Sequence, residues 1–283
     1  VQAYFWQFTC PDVKFSLVGV NETTKYDETS FERFKQVKND STIKLDPSFT
    51  LALLSRWVNT NEIFKDADVV YLLTGDSIRD FMGAYKLEMK AASYFFGPCS
   101  DRRAALSEDD GRTFSGVPAM VQQIAHIFGI KWDDSRSPKS QCRADDGYIM
   151  TKNGEPTKLA NFSSCSHQTW EDEFLLHAQG TKCFNRTPIV MSSENEKLPA
   201  DFYKGCDYCK IFFSEHKGAK QCDNISEVSQ SPLDMDASVA NATCKVVCCV
   251  NDKVHVVNSP DGTKCDSEKV ILTETVLRCI NRP

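Results

Sequence analysis

An α/β domain followed by a small disulfide-rich module is the fold class that the sequence predicts. Helix-period and strand-like segments alternate between residues 46 and 128, the pattern of helices layered on a sheet. Polar, breaker-rich text, "SSENEKLPADFYKG", follows residue 190, as in a linker. Beyond it, residues 199–283 hold eight of the thirteen cysteines, a density that suits a module held by disulfides rather than by a large core. The predicted parts are a domain over 1–190, a linker over 191–198 and a cysteine-rich domain over 199–283.

Asp46-Pro47 reads as an N-cap and first helical residue, since proline lacks an N–H that the first turn leaves unpaired anyway. Behind it Phe49, Leu53, Leu54, Trp57 and Val58 fall on one helical face. "ADVVYLLTG", Ala67 to Gly75, reads as a short strand buried on both faces. "AASYFFGPC", Ala91 to Cys99, is another strand, confined by Pro98 to an edge or a strand end. The acidic run "SEDDGR", Ser107 to Arg112, reads as a solvated loop. Met120, Ile124, Ile127 and Phe128 then recur at i, i+4, i+7 and i+8, one apolar face of a helix. Ser115 is its candidate cap, and Gly129 ends it in a left-handed conformation.

A length of 283 residues suits one large or two medium domains, and a hydrophobic fraction of 41% is enough for a core. The formal net charge of -6 disfavours nucleic acid or an anionic membrane surface as partner. No apolar run approaches the roughly 18 residues of a membrane-spanning helix. The opening "VQAYFWQF" has neither the basic region nor the cleavage site of a secretory leader. Thirteen cysteines are unusual for a reducing compartment. Six N-x-S/T sequons, at Asn21, Asn39, Asn161, Asn185, Asn224 and Asn241, agree with secretion. These features predict an oxidised, glycosylated, extracellular protein.

Motif chemistry concentrates in "GVPAMVQQIAHIFGIKWDD", Gly116 to Asp134. Gln122 and His126 are four apart, so both point to one side of the helix. A zinc protease needs imidazoles at both positions. They share a tetrahedral metal, and a glutamate beside the first activates the bound water. The extended motif adds a glycine that turns the chain and a third histidine. "QQIAHIFGIKW" fits this frame without a gap, yet only His126 and Gly129 keep the pattern. Gln122 stands at the first ligand, Gln123 at the glutamate and Trp132 at the third ligand.

On these residues the chain resembles the reprolysin-type (M12B-like) metzincins, in particular the salivary metalloproteases of ticks. Asp133 matches the aspartate that usually follows the third histidine. "DGYIM", Asp146 to Met150, is similar to the Met-turn, and "NFSSCS", Asn161 to Ser166, to the start of the last helix. "ADVVYLLTGDS" resembles the central strand. "VQAYFWQFTCPDVKFSLVGV" resembles the end of the first helix running into the second strand, so the N-terminal strand and most of that helix have no counterpart. "LPADFYKGCDYCKIFF" and "DGTKC" are similar to the cysteine-rich tail of the same proteins. The resemblance implies a metzincin fold with a twisted mixed sheet and a Met-turn at Met150. It also implies disulfides Cys99–Cys183 and Cys142–Cys165. Cys10 is left over, with a missing N-terminal segment, a partner chain or the C-terminal module as alternative partners.

The substitutions alter what such a site can do. Zinc sites use three or four protein ligands. A glutamine amide is a poor ligand and no base, and an indole offers only an N–H. Zinc and peptidase activity are therefore expected to be absent, with Trp132 filling the metal pocket. His126 with Asp133 or Asp134 is a residual metal candidate, outweighed by a cleft histidine held by hydrogen bonds. Asp76 and Asn185 lie near the places where the family often holds a structural calcium. Cys206-x-x-Cys209 and Cys248-Cys249 read as disulfide cysteines rather than zinc ligands. His167, His177, His216 and His255 read as surface or packing residues.

In the family the edge strand, here Ala92, Ser93, Tyr94, Phe95, Phe96 and Gly97, pairs with the substrate backbone. Adding a strand to a sheet edge needs no metal; an edge now covered is the alternative. The expected function is that of a secreted, catalytically inactive metalloprotease homologue that binds protein. The resemblance implies host plasma proteins of haemostasis, complement or inflammation, or salivary proteins, as targets. The alternatives are an active zinc endopeptidase with unorthodox ligands and a structural subunit disulfide-linked through Cys10.

Overall fold

The structure, a computed structural model, describes residues 1–9, 12–37, 41–79, 90–133, 141–151, 161–178, 197–222, 245–251, 253–266, 269–272 and 275–278. Cys10, Asn39, Asp134, Cys183, Asn185, Asn224 and Asn241 lie outside these. The chain divides into two compact units, Val1–Gly111 with Ser115–Asn195, and Arg112–Phe114 with Glu196–Pro283.

The first unit opens with a short helix α1 (Gln2–Phe5), and residues 12–24 carry no strand. The expected passage from helix into strand is therefore corrected. Aromatic residues decide it: Phe5, Phe8 and Phe15 pack with Phe128, Phe162 and Trp170, ring centroids 4.6–6.2 Å apart. Such contacts add to area burial. Helix α2 (Lys25–Phe31) starts with a capping box in which Thr24 and Asp27 satisfy each other's backbone N–H groups. Strands β1 (Phe34–Gln36) and β2 (Ile43–Leu45) form an antiparallel pair. Helix α3 (Pro47–Thr60) starts where the sequence places it. The Asp46 carboxylate accepts the N–H groups of Ser48 and Phe49 at 3.1 and 3.2 Å. The buried stripe of α3 is Leu51, Leu54 and Val58, with Thr50 and Ser55. Phe49 is exposed, beneath the Lys35 ammonium. Four of the five residues expected on this face pack into the core, Leu54 and Val58 buried and Leu53 and Trp57 partly buried; Phe49 is the exception, and Ser55, which donates to the Asp101 carbonyl, is buried with them.

Strand β5 (Ala104–Glu108) lies between β3 (Val70–Thr74), to which it is parallel, and β4 (Ala91–Ser93), to which it is antiparallel. Ala104, Ala105, Leu106 and Ser107 have no solvent exposure. Strand alternation sends Ala104 and Leu106 to one face, where they join Leu51, Leu54 and Val58 of α3. Ser93, opposite Ala105 in register, faces the other way and touches Gln123 and His126 of helix α4 (Val117–Ile127). The sheet is thus covered by α3 on one face and α4 on the other. Two expectations are corrected. Ser107 and Glu108 end this doubly covered strand rather than begin a loop, and the Glu108 carboxylate is satisfied by the Ile78 N–H. β3, read as buried on both faces, leaves Leu73 half exposed. It has a strand neighbour on one side only among the described residues.

Helix α5 (Ser164–Ala178) is the last described element of the first unit. The Cys142–Cys165 disulfide, the pair implied above by resemblance, ties its first turn to the preceding segment. The second unit contains the short helices α6 (Pro199–Phe202) and α7 (Tyr208–Phe212). Strands β6 (Lys220–Gln221), β7 (Lys245–Val250) and β8 (Lys253–Asn258) form one antiparallel sheet, and β9 (Lys264–Asp266), β10 (Lys269–Leu272) and β11 (Thr275–Arg278) another. Adjacent residues of β7 face opposite ways. Cys248 therefore turns into the core to meet Cys209, while Cys249 turns outward to meet Cys222. Cys206 is exposed and takes no part in a disulfide. No described helix is long and apolar enough to cross a membrane.

Asp46 has no solvent exposure and also pairs with Lys35. Asp46→Ala is expected to lower the unfolding free energy by about 1–2 kcal/mol, through the lost cap. Urea denaturation of the disulfide-intact chain measures this, and Asp46→Asn, which keeps the cap acceptor, should cost less.

Candidate functional site

Helix α4 begins without a side-chain cap. The expected cap, Ser115, instead accepts the Asp110 N–H through its hydroxyl, and the Gly116 N–H donates to the Asp109 carboxylate at 2.7 Å. The acidic loop upstream thus supplies the partner that the serine was expected to be. The helix end follows the sequence. Gly129 is left-handed, with φ of 94°. Its N–H returns to the His126 carbonyl and the Ile130 N–H to the Ala125 carbonyl, each at 3.0 Å, the paired bonds of a Schellman end. Val121, Ile124, Ala125, Ile127 and Phe128 are buried, and Met120 is half-buried.

Gln122 and Gln123 are also buried, at 2% and 0% exposure. A buried amide without partners is costly. Gln122 Nε2 donates to the Ile149 carbonyl at 2.9 Å. Gln123 Oε1 accepts the Ser93 hydroxyl at 2.7 Å, and Ser93 Oγ lies 3.1 Å from His126 Nδ1. Ser93 has one proton and gives it to an acceptor-only oxygen. The network therefore assigns the N–H of His126 to Nδ1, donating to Ser93. The imidazole stacks on Trp132, with centroids 4.7 Å apart and planes at 25°, and Phe95 stands 5.2 Å away. Burial pushes the His126 pKa down to about 4, so the ring is neutral at physiological pH.

The segment after α4 is pinned to two others. The Asp133 N–H donates to the Met150 carbonyl at 2.7 Å, and its carboxylate accepts the Ser163 hydroxyl at 2.8 Å. Ser163 in turn accepts the Ser166 N–H, starting α5. Met150 is fully buried. Tyr148 to Thr151 form a tight turn after a left-handed Gly147.

Of the stretch Ala92 to Gly97, only Ala92 and Ser93 belong to β4. The six-residue edge strand is therefore corrected to a shorter one. Phe96 is left-handed, with φ of 60°, and the N–H groups of Phe96 and Gly97 donate to the His126 and Ile127 carbonyls. A Cβ on Gly97 would stand 2.1 Å from the Arg102 carbonyl oxygen. Tyr94, Phe95, Phe96 and Gly97 thus form a turn bound to the end of α4, leaving Phe95 exposed. Asp76 is exposed, and Asn185 lies outside the described residues. Cys99 is disulfide-bonded; Cys183, its implied partner, is not described. Asn21 is exposed and Asn161 half-buried. His167 packs on Phe8 and His255 on Phe213.

Residues 30–188, more than half of the chain, match the reprolysin (M12B) family of zinc metalloproteases. The chain belongs to the reprolysin family. No curated protein matches it.

The residues of this reprolysin chain do not fit the family's metal. Gln122 points an N–H donor at a carbonyl. Trp132 lays its ring against His126, and its one polar atom is a donor. A single imidazole remains where tetrahedral zinc takes three or four protein ligands. Among the described residues, no three His, Cys, Asp or Glu side chains form a group that would hold a metal ion. Sequence reasoning picked out Gln122, Gln123, His126, Trp132 and Met150. It did not foresee Ser93 as the bridge between Gln123 and His126, although a polar residue inside an apolar strand was a signal. The Asp133–Ser163 bond left no signal, because its partners are 30 residues apart.

His126 makes stability depend on pH. Its folded pKa of about 4 lies below the ordinary 6.5, so the unfolded chain protonates first as pH falls. The contribution is full above pH 6.5 and is lost progressively down to about pH 4, by at most roughly 3 kcal/mol. The stability difference between wild type and His126→Gln, from urea denaturation across this window, is expected to shrink as pH falls. A constant difference would contradict the assignment.

Proposed function

We propose that this reprolysin-family chain is a secreted, glycosylated metalloprotease homologue without catalytic activity that acts by binding protein. The observation that carries the reading is Gln122, a buried amide at the first-ligand position whose N–H is directed to the Ile149 carbonyl. Gln123, at the position of the general base, has no basic group at neutral pH. Trp132 takes the place of the third ligand, and Tyr148 to Thr151 is read as the Met-turn. Without a metal to lower its pKa, water is not made nucleophilic.

A binding role has surface to work with. Phe95 is exposed beside His126 and Trp132, and aromatic side chains dominate binding energetics at interfaces. The resemblance to tick salivary metalloproteases directs the search to host proteins of haemostasis, complement or inflammation.

The test uses the full glycosylated chain in two assays. As bait in host plasma and in saliva, it is expected to enrich a small, reproducible set of proteins, and Phe95→Ala is expected to weaken that capture. In a peptidase assay on unfolded protein substrates it is expected to give no chelator-sensitive cleavage. Such cleavage would sink the reading in favour of an enzyme with unorthodox ligands. Failure to enrich anything, with a reducible high-mass band on gels that Cys10→Ser abolishes, would replace it with a disulfide-linked structural subunit.

A further inference from the structure

We infer that a polar–aromatic latch built on Gln122 and the Ser93–His126–Trp132 group takes over the cross-linking that a metal would perform in this cleft. A bound ion joins the segments that supply its ligands, and its binding free energy becomes folding free energy. Here the segments are joined by side chains directed at protein partners. Gln122 ties α4 to the turn at Ile149. Ser93 ties β4 to α4 through Gln123 and His126. Trp132 closes over the His126 ring from the segment beyond the helix, and Asp133 fastens that segment to Met150.

The orientation of these groups separates a latch from an unfilled site. In a metal site the ligand atoms converge on one point. Here the Gln122 amide turns to a backbone carbonyl and the Gln123 amide to a hydroxyl, and the indole covers the imidazole by stacking. The two glutamines are as buried as core side chains, so their bonds form away from competing water. The inference rests on the reading that the cleft holds no zinc, and it is independent of any binding role.

The experiment is thermal unfolding of the full glycosylated chain with and without a strong chelator, alongside metal analysis of the same sample. The expected result is an unchanged Tm and substoichiometric zinc. Gln122→Met keeps the side-chain volume and removes the bond to Ile149. It is expected to lower Tm by about 4–8 °C, from a lost buried hydrogen bond and a stranded carbonyl. Gln122→His, Gln123→Glu and Trp132→His together are expected to restore zinc uptake and make Tm fall with chelator. Stoichiometric zinc in the wild type, with a Tm that drops on chelation, would overturn the latch. So would a Gln122→Met variant with unchanged Tm, or a folded triple variant that takes up no zinc. If the triple variant does not fold, Gln122→Met and the chelator response decide. Failed partner capture beside a chelator-insensitive Tm sinks the binding role and leaves the latch standing.

Discussion

Two buried glutamines sit side by side in the middle of α4, and the packing around them is set by the need to satisfy them. An unpaired buried amide group costs about 1–3 kcal/mol, a sizeable share of the stability of a domain. Gln123 is satisfied from the sheet, which puts a hydroxyl at position 93. Gln122 is satisfied from the other side, which draws the Ile149 carbonyl against the helix. Once that turn is in place, Met150 is buried and its carbonyl is in position for Asp133.

Ser93 can meet this demand because of how the sheet is packed. β5 is covered on both faces and places two alanines, Ala104 and Ala105, back to back toward α3 and α4. Small side chains let a helix approach a sheet closely. Beside Ala105 the neighbouring strand presents Ser93, whose short hydroxyl then reaches the α4 side chains directly. The left-handed turn at Phe96 closes the same corner by giving two N–H groups to the last carbonyls of α4. These carbonyls lack partners within a helix, so the turn that shortens β4 also caps α4.

What was legible in the sequence was mostly local. Asp46-Pro47 and Gly129 each act through bonds to residues a few positions away, and both ends of helix formed as read. The limits appeared where the partner is distant. "VVYLL" has the same apolar run whether it lies at a sheet's centre or edge, so β3 was overestimated. "AALSE" reads as polar and small, and its place as the doubly covered strand depends on α3 and α4 together. Nothing in "SYFFG" announces that a phenylalanine will adopt positive φ, because that strain is held by long-range bonds to α4. The pairing of Cys248 and Cys249 with different partners follows from strand alternation only once β7 is known to be a strand.

Ser93 and His126 stand at a distance that also suits a serine nucleophile and its base, and the direction of their hydrogen bond argues against that role. A base must accept the serine proton. Here the proton is committed to Gln123 Oε1, and His126 Nδ1 donates to the same hydroxyl oxygen. A base works best with a pKa near the operating pH, and burial has pushed this imidazole down to about 4. Reversing the chain would require Gln123 to present its NH2 group instead, which would free the serine proton for His126 but leave the base just as weak. The bond that satisfies the Gln123 amide therefore takes up the Ser93 proton, and the His126 N–H is directed at the same hydroxyl oxygen.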